Sequence, residues 1–579
     1  MIIKDISNRF AMLIILGLCA FHLLFLLRFF APAISTPDAQ GYFTQGRIIA
    51  TQRQTFFIPE NNLQYIGPHW RSPDGQRYFT AFPPGFSCLI AIVYKLFGAN
   101  SAFLVNPILA SISLLIFFFL CKNWLSNSWA LIATFFLSLI PFYNGHALFG
   151  DSHTSLIFFF LIALLFLIKV IKTDNYIYPL RPLVPYGVYA IISGIAMGIV
   201  PTIHYGEFVL CIVFLFYLFW LFYTKKISLR TYISFIIGIL IPLIPLGVRN
   251  HIAFGKFWIT GYSLMNNTQE LVGFNYLIEH FIPILVMLAT AGMGVLFLFS
   301  IGGFIKLLKN SDTKSIAVYF LSSVVILTFV YMAYSAPPDG QTMRYLLPTF
   351  PVYTLTAVYF ISHLKGRYKI IFLSIALLVS IPWGVRGSLQ AVKPLYMHNS
   401  VLADITKAVE RNIEAKSIII TYEGICQNLD LYGKWKLIDI SILLRSNALR
   451  GRRPMKLMRN EYASKVYNSL CGDEFKDQLI KDLNQWSGKK IFIVTYEDEI
   501  EMLNRLIGDR FNIAKKSSIE ISNLPALEFM LTRKTRRMPH YPRIKPPLRP
   551  DRPGPVGPNR IFDFEIRKEP LIIAELTVK

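Results

Sequence analysis

An aspartate soon after the first long apolar segment is the residue best placed to do chemistry. Phe10 to about Leu27 are almost wholly apolar and long enough to cross a bilayer. Asp38 follows in the polar stretch 35–42 (Ser-Thr-Pro-Asp-Ala-Gln-Gly-Tyr), so we expect it at the membrane–water boundary. There a carboxylate can reach both a lipid headgroup and a water-borne acceptor, and act as a general base. The structural alternative is that Asp38 caps a helix beside the membrane.

The composition of the chain indicates a protein that crosses a membrane many times. Of 579 residues, 54% are hydrophobic and 15% aromatic, and the mean hydropathy is +0.47. The net charge of +24 would suit nucleic acid. However, much of the positive charge lies in short loops between apolar segments, where it sets membrane orientation. We therefore expect a lipid bilayer and no nucleic acid as partner.

Apolar segments predict eleven membrane spans and one shorter helix. The first segment is interpreted as an uncleaved span, because it is long for a signal peptide and Arg28 separates it from the cleavage-like stretch 31–33. Residues 83–98 open with two prolines, close with glycine and are too short for a span, which predicts a helix in the membrane interface. The predicted spans are 10–30, 101–121, 128–145, 153–171, 186–203, 207–223, 231–248, 281–305, 315–334, 345–362 and 368–386.

The distribution of Lys and Arg predicts the orientation of these spans. With 83–98 on the membrane surface, alternate loops contain the positive charge, and the opposite loops contain little beyond Arg249, Lys256 and Arg344. The positive-inside rule then places the N-terminus in the cytoplasm and the C-terminal domain outside the cytoplasmic (inner) membrane. The cytoplasmic set is Lys4, Arg9, Lys122, Lys169, Lys172, Arg181, Lys225, Lys226, Arg230, Lys306, Lys309, Lys314, Lys365, Arg367 and Lys369.

The outer loops bring many ionisable side chains close to the membrane. Such groups are costly at membrane depth and tend to be functional, although a single histidine at a loop end is more commonly a solvated surface residue. Asp151 and His153 do not share a helix face and make a weak metal pair. As a whole, the set predicts a cavity. Its ionisable members are Asp38, His69, His146, Asp151, His153, His204, Glu207, His251, Asp339 and Arg344, and Tyr42 and Tyr345 are expected to line it with them.

After residue 394 the pattern changes to that of a small α/β domain. We expect residues 1–394 to form the membrane domain with a first outer loop at 31–100, and residues 395–532 the extracytoplasmic domain. Residues 533–579 are expected to be a basic, proline-rich tail, which could meet anionic headgroups or glycans or be merely solvated. The predicted strands are 417–422, 437–440, 490–496 and 527–532, and the predicted helices 473–486 and 498–507.

Cysteines provide little information about function. The six of them form no CxxC pair and show no zinc-ligand spacing. In the C-terminal domain, Cys426 and Cys471 either pair in an oxidising compartment or stay as buried thiols.

Several short strings, in this order, resemble the GT-C membrane glycosyltransferases, especially the protein O-mannosyltransferases and the lipid A aminoarabinose transferases. The resemblance covers residues 5–390. It implies a polytopic α-helical fold, a polyprenyl-phosphate sugar as donor, inversion at the anomeric carbon, and an aspartate of the first outer loop that serves the acceptor. The strings are Pro37-Asp38-Ala39-Gln40-Gly41-Tyr42, Phe82-Pro83-Pro84-Gly85, Tyr94-Lys95-Leu96-Phe97-Gly98, Arg249-Asn250, Phe254-Gly255, Gly261-Tyr262 and Arg344-Tyr345-Leu346-Leu347-Pro348.

By this resemblance Asp38 is the catalytic residue, but two positions depart from the family pattern. The usual second acid after it is Ala39, which weakens a metal-dependent mechanism. The lysine that often precedes the two prolines is Phe82, so another cation must bind the donor phosphate. No metal ligand and no cofactor are assigned, and a divalent metal stays open. The candidate phosphate-binding cations, in order, are Arg344, Arg249 and Lys95.

Two classes of function follow. The first is an inverting glycosyltransferase at the outer face of the membrane, with a glycan, a lipid or a protein as acceptor. The second is a non-catalytic binder or transporter of lipid-linked glycans on the same scaffold, which the departures at Ala39 and Phe82 favour. A transporter would show internal repeats, and the sequence has no clear repeat.

Overall fold

Apolar helices dominate the first part of the chain. The computed structural model describes residues 5–174, 186–265, 272–335, 338–444, 472–486, 488–533 and 566–579. Within these residues nine helices are long and apolar enough to cross a membrane, and each coincides with a predicted span. Two shorter apolar helices, Asn127–Ser138 and Gly187–Ile203, occupy the other two predicted positions. The chain is therefore a multi-pass membrane protein.

The helices of this region are numbered in chain order. They are α1 (Asn8–Arg28), α2 (Pro37–Gln52), α3 (Gly85–Phe97), α4 (Ala99–Ala102), α5 (Val105–Cys121), α6 (Asn127–Ser138), α7 (Pro141–His146), α8 (His153–Asp174), α9 (Tyr186–Ile203), α10 (Phe208–Tyr223), α11 (Leu229–Phe254), α12 (Gly261–Met265), α13 (Phe274–Met287), α14 (Val295–Lys309), α15 (Ser311–Met332), α16 (Gly340–Met343), α17 (Phe350–Ser362) and α18 (Gly366–Asn412).

Two of the predicted spans are interrupted. Within 128–145, α6 ends at Ser138 and α7 begins at Pro141, which has no backbone N–H to continue the preceding helix. Within 281–305, a π-turn follows α13, and Gly294 then adopts a φ of 57°, which a right-handed helix does not allow. The continuity predicted for these two segments is therefore corrected.

Small residues allow close contacts between the membrane helices. A Cβ atom added to Gly194 of α9 would lie 2.4 Å from the carbonyl oxygen of Phe235 in α11, and one on Gly198 would lie 2.5 Å from that of Ile239. The spacing of the two glycines is that of the small-xxx-small motif of membrane helix pairs.

The segment 31–100, predicted to be the first outer loop, folds against the bundle. Its α2 is followed by a three-stranded antiparallel sheet of order β1-β3-β2, formed by β1 (Phe56–Phe57), β2 (Trp70–Arg71) and β3 (Tyr78–Thr80). Helix α3 packs on α2 so closely that a Cβ on Gly46 would lie 2.5 Å from Ile90. Its opposite face exposes Ile92, Leu96 and Phe97. The short helix predicted at 83–98 is present, and its placement in the interface stays a prediction.

The C-terminal domain contains a five-stranded sheet of order β5-β4-β6-β8-β7. The first three strands are parallel, and β8 runs antiparallel to both of its neighbours. Three of the predicted strands and both predicted helices are present. The elements are β4 (Ile418–Thr421), α19 (Glu423–Asp430), β5 (Lys436–Asp439), α20 (Ser441–Leu444), α21 (Gly472–Asn484), β6 (Ile491–Thr495), α22 (Glu497–Ile507), β7 (Phe511–Ile519), α23 (Leu524–Arg533) and β8 (Leu571–Val578).

The predicted start of this domain and one of its predicted strands need correction. The boundary at residue 394 falls inside α18, whose 47 residues continue from the last span into the domain. The predicted strand 527–532 is part of α23, because the side chain of Asn523 accepts a hydrogen bond from the Ala526 amide 3.1 Å away and so starts a helix.

The predicted tail also needs correction at its end. Leu571–Val578 forms β8 inside the sheet, since its apolar run pairs with two neighbouring strands. Residues 534–565 lie outside the described part of the chain, so an extended form for them stays a prediction. Cys471 lies outside it as well, and its pairing with Cys426 is likewise untested.

Candidate functional site

Asp38 lies in the first turn of helix α2, which positions its side chain in the candidate site. The N-cap is Thr36, whose hydroxyl accepts a hydrogen bond from the Ala39 amide 3.2 Å away, and Pro37 occupies the first helical turn. The capping role considered for Asp38 therefore belongs to Thr36. The carboxylate of Asp38 is left for contacts with other parts of the fold.

Both carboxylate oxygens of Asp38 have cationic or polar partners. His69 Nε2 lies 3.1 Å from Oδ1, and Arg344 Nη1 lies 3.1 Å from Oδ2. Burial raises the pKa of Asp38, but the Arg344 guanidinium and the hydrogen bond with His69 outweigh it and hold the pKa well below its usual range. With 26% of its side chain exposed, Asp38 is ionised and still reachable by a substrate.

Arg344 lies between α15 and α17, as the first residue of a 3-10 helix (Arg344–Thr349) that leads into α17. Asp339 begins the short helix α16 by accepting a hydrogen bond from the Thr342 amide 3.0 Å away, and Arg344 directly follows that helix. Its Nη2 donates to the Tyr345 hydroxyl at 3.1 Å, and its guanidinium lies 5.0 Å from the Tyr345 ring centre. Tyr345 in turn stacks on Tyr331, with ring centres 4.6 Å apart. The guanidinium is thus positioned between a carboxylate and aromatic rings.

Aromatic rings form a second side of the site. Tyr42 stacks on Phe82 at 4.5 Å, and Phe82 also contacts the rings of His69 at 5.0 Å and Tyr262 at 6.0 Å. The Tyr42 hydroxyl lies 3.1 Å from Ser152 Oγ, and burial raises the Tyr42 pKa well above its usual value, so the phenol stays neutral. Phe82, at the position where a family lysine was expected, is therefore part of the aromatic packing around Asp38.

A group of buried histidines adjoins Tyr345. The ring of His153 lies 5.4 Å from Tyr345, 5.9 Å from His146 and 5.2 Å from His204. His146 and His204 are each hydrogen-bonded to a buried carboxylate. The carboxylates are those of Asp151, whose Oδ2 lies 2.5 Å from His146 Nδ1, and Glu207, which also accepts a hydrogen bond from Tyr331.

The three candidate phosphate-binding cations lie in different surroundings. Arg344 contacts Asp38 directly. Arg249 is buried, and it donates to the Thr80 carbonyl at 2.7 Å and to the Tyr205 hydroxyl at 3.1 Å. Lys95 is exposed in the last turn of α3. Of the three, Arg344 is the one that the fold brings to the carboxylate.

Two other residues that were predicted to belong to the site, His251 and Asp339, have local structural contacts. His251 stacks on Phe257 at 4.8 Å, and Asp339 acts as a helix cap. In the described part of the chain, no three His, Cys, Asp or Glu side chains are grouped so that they could bind a metal ion. The sequence prediction omitted Ser152 and Tyr331, which contact Tyr42 and Tyr345 but carry no local motif. It quoted Tyr262 in a family string without assigning it to the site, although its ring contacts Phe82.

Known proteins resemble this chain in fold and not in sequence. No family model matches the chain, and no curated protein matches its sequence. The crystal structure of ArnT from Cupriavidus metallidurans bound to undecaprenyl phosphate matches with a TM-score of 0.57 and 11% identity, over 89% of this chain and 97% of that chain.

Two further solved structures are more distant. The Archaeoglobus fulgidus oligosaccharyltransferase, solved with a tethered acceptor peptide, has 12% identity over 86% of this chain and 72% of its own, with a TM-score of 0.48. The mycobacterial arabinofuranosyltransferase AftD has 12% identity over 89% of this chain and 39% of its own, with a TM-score of 0.45. With ArnT as its structural neighbour, the chain has the GT-C glycosyltransferase fold.

Proposed function

We propose that this protein is an inverting glycosyltransferase, which moves a sugar from a polyprenyl-phosphate donor to an acceptor at the outer face of the cytoplasmic membrane. The observation that supports it most is the carboxylate of Asp38, which lies 3.1 Å from both Arg344 and His69. A base for the acceptor and a cation for the leaving phosphate are the two groups that this reaction needs.

The acceptor side of the reaction belongs to Asp38. The acceptor hydroxyl attacks the anomeric carbon and gives its proton to the Asp38 carboxylate as the new glycosidic bond forms. The bond between the anomeric carbon and the phosphate oxygen breaks on the opposite side, and polyprenyl phosphate leaves. This route needs one carboxylate and no covalent intermediate with the enzyme. His69 orients the carboxylate through its 3.1 Å contact with Oδ1.

The donor side belongs to Arg344. A guanidinium binds phosphate oxygens through a planar fork of donors, which a lysine lacks. Arg344 has Tyr345 on one side and Asp38 on the other, so a phosphate that binds it competes with Asp38 for the same donors. Once the phosphate engages Arg344, Asp38 loses the cation that lowers its pKa and becomes a stronger base.

The nature of the carrier is supported by one comparison. ArnT, whose fold this chain shares, was crystallised with undecaprenyl phosphate. A polyprenyl carrier would keep its chain in the bilayer and present its phosphate at the interface, where Asp38 and Arg344 are expected. The acceptor is a glycan, a lipid or a protein that reaches the same face.

The test compares the envelope glycans and lipids of cells that express the wild type, Asp38→Asn or Asp74→Asn. Asp74 is the matched control, because it lies in the same outer loop and pairs with Arg77 instead of Arg344. We expect a sugar-sized mass shift with the wild type and Asp74→Asn, and none with Asp38→Asn at equal expression. A wild type that binds polyprenyl phosphate but causes no mass shift would instead support the non-catalytic binder.

A further inference from the structure

We infer that the C-terminal domain positions the proposed catalytic helix, and that Asp430 is the positioning residue through which it acts. This inference rests on the proposed role of Asp38. Asp430 is the last residue of α19 in the C-terminal domain, and it contacts α2 of the first outer loop. It does not contact Asp38 itself, so any effect on the reaction has to pass through α2.

The carboxylate of Asp430 receives three hydrogen bonds from α2. Its Oδ2 accepts from Thr44 Oγ1 at 2.8 Å and from Gln40 Nε2 at 3.1 Å. Its Oδ1 accepts from Arg47 Nη2 at 3.2 Å, and the Arg47 side chain is 10% exposed. A carboxylate that accepts three bonds from one helix fixes both the position and the rotation of that helix.

The three donors lie on the side of α2 that is turned away from the candidate site. Gln40, Thr44 and Arg47 are spaced as i, i+4 and i+7 and therefore share one face of the helix. Asp38 and Tyr42 share another face, and with 3.6 residues per turn the two faces are roughly opposite. Asp430 thus contacts one side of α2 while Arg344 and Ser152 contact the other.

A second connection links the same helix to His69. Gln40, which donates to Asp430, also accepts a hydrogen bond from Trp70 Nε1 at 3.2 Å. Trp70 is the chain neighbour of His69, whose imidazole contacts Asp38. The loop at this point passes so close to α2 that a Cβ on Gly67 would overlap the side-chain amide of Gln40 at 1.9 Å. Asp430 and Gln40 therefore fix both Asp38 and the histidine that orients it.

The entry of the chain into α2 is fixed from the same domain. Asn428 Oδ1 accepts a hydrogen bond from the Ile34 amide at 2.7 Å, and Asn428 Nδ2 donates to the Ile34 carbonyl at 3.0 Å. These bonds fasten the backbone one turn before Asp38. Other contacts keep the domain docked without Asp430, such as the bond from the Tyr65 amide to the Leu437 carbonyl at 2.7 Å. A change at Asp430 should therefore loosen α2 and leave the domain in place.

The experiment uses the full-length protein in lipid nanodiscs. Asp430→Asn keeps the size of the side chain and removes its charge, and Thr44→Val removes one bond without leaving a buried charge unpaired. Glu410→Gln is the control, because Glu410 pairs with Lys434 within the C-terminal part of the chain. Amide hydrogen exchange of peptides from α2 is measured together with kcat and the donor KM, using the polyprenyl-phosphate sugar and the acceptor that the mass-shift comparison identifies.

We expect faster exchange in α2 and about a tenfold lower kcat for Asp430→Asn, since small misplacements of a catalytic group are costly. Thr44→Val should change both in the same direction by less, and Glu410→Gln should change neither. The donor KM should not rise, because Arg344 is on another element and a loosened Asp38 competes less with the phosphate for it. A general loss of folding would instead raise exchange in every peptide of the protein.

The outcomes separate this inference from the proposed function. Unchanged exchange in α2 for Asp430→Asn and Thr44→Val, or faster exchange with an unchanged kcat, would overturn the positioning role. Equal loosening across the whole protein would overturn it as well, since Asp430 would then serve only stability. If the wild type transfers no sugar but Asp430→Asn and Thr44→Val loosen α2 alone, the positioning of α2 by Asp430 is supported. The proposed glycosyl transfer is then the part that fails.

Discussion

Asp38 and Arg344 form an ion pair, with Arg344 Nη1 3.1 Å from Asp38 Oδ2. Asp38 belongs to the first turn of α2 and Arg344 to the short 3-10 helix before α17, so the fold joins two distant parts of the chain at this contact. The proposed reaction assigns them to the acceptor and to the leaving phosphate. The Asp38 carboxylate and the donor phosphate compete for the same guanidinium. Binding of the donor to Arg344 should therefore make Asp38 a stronger base, and removal of Asp38 should strengthen donor binding.

The first prediction concerns this coupling. Asp38→Asn removes the carboxylate that competes for Arg344, so we expect polyprenyl phosphate to bind roughly tenfold more tightly while transfer is lost. Titration of the purified protein with polyprenyl phosphate measures the Kd. Asp74→Asn should bind as the wild type does. Weaker binding by Asp38→Asn would show that Asp38 supports the phosphate site and does not compete with it.

A second prediction concerns the cation that binds the donor phosphate. Arg344→Lys keeps the charge but loses the planar fork of donors, so the Kd for polyprenyl phosphate should rise roughly tenfold. Arg344→Gln loses both the fork and the charge, so its Kd should rise further. Lys95→Gln should have little effect, because Lys95 is exposed at the end of α3. Equal affinity for the wild type and both Arg344 variants would leave Arg344 as an interfacial anchor and direct attention to Arg249.

The sequence predicted the helices well, because hydropathy is a local property. All eleven predicted spans overlap apolar helices, although those at 128–145 and 281–305 are interrupted, and 83–98 overlaps a short helix. It also selected Asp38 and Arg344, but it could not predict that they touch, since that contact depends on how the outer loop folds. The contact between Asp430 and α2 was missed for the same reason, although Gln40, Thr44 and Arg47 form a polar stripe at helical spacing.

The errors arose where a local pattern had two outcomes. A short apolar run such as 527–532 fits a strand or a helix, and the cap at Asn523 decided for the helix. Strand β8 was missed because composition was averaged over a proline-rich stretch that precedes it. The break at Gly294 is visible as a glycine in the sequence, but only the backbone shows that its φ is positive.

A third prediction follows from the lowered pKa of Asp38. The folded-state pKa lies below the unfolded value of about 3.9, so the ion pair stabilises fully above that value and is lost as pH falls through the folded-state pKa. The experiment is done in a His69→Gln background, so that the pair of Asp38 with Arg344 is measured without the imidazole that also contacts Asp38. The Tm difference between this variant and its Asp38→Asn derivative should be constant from about pH 5 to 8 and should shrink as the pH falls below about 4. A difference that varies between about pH 5 and 8, or that stays constant below about pH 4 as well, would contradict the lowered pKa.

A fourth prediction concerns the packing of α9 on α11. Gly194→Ala places a Cβ 2.4 Å from the Phe235 carbonyl oxygen, so the helices must separate and the Tm should fall. Gly17→Ala in α1 is the matched control, because no atom lies within 4 Å of the added Cβ. The control should be neutral or slightly stabilising, since alanine favours helix more than glycine does. A Tm that falls equally in both variants would exclude close packing as the cause.

The last prediction concerns membrane orientation. Short loops rich in Lys and Arg are expected in the cytoplasm, and eleven spans then place the C-terminal domain outside. A reporter that is active only in the cytoplasm should be silent when it is fused after Lys579, which follows β8 directly. The same reporter should be active when it is inserted at Asn310, between α14 and α15, because that loop belongs to the cytoplasmic set. An active fusion after Lys579 would invert the layout and place Asp38 and Arg344 at the cytoplasmic face, where the proposed donor orientation would no longer apply.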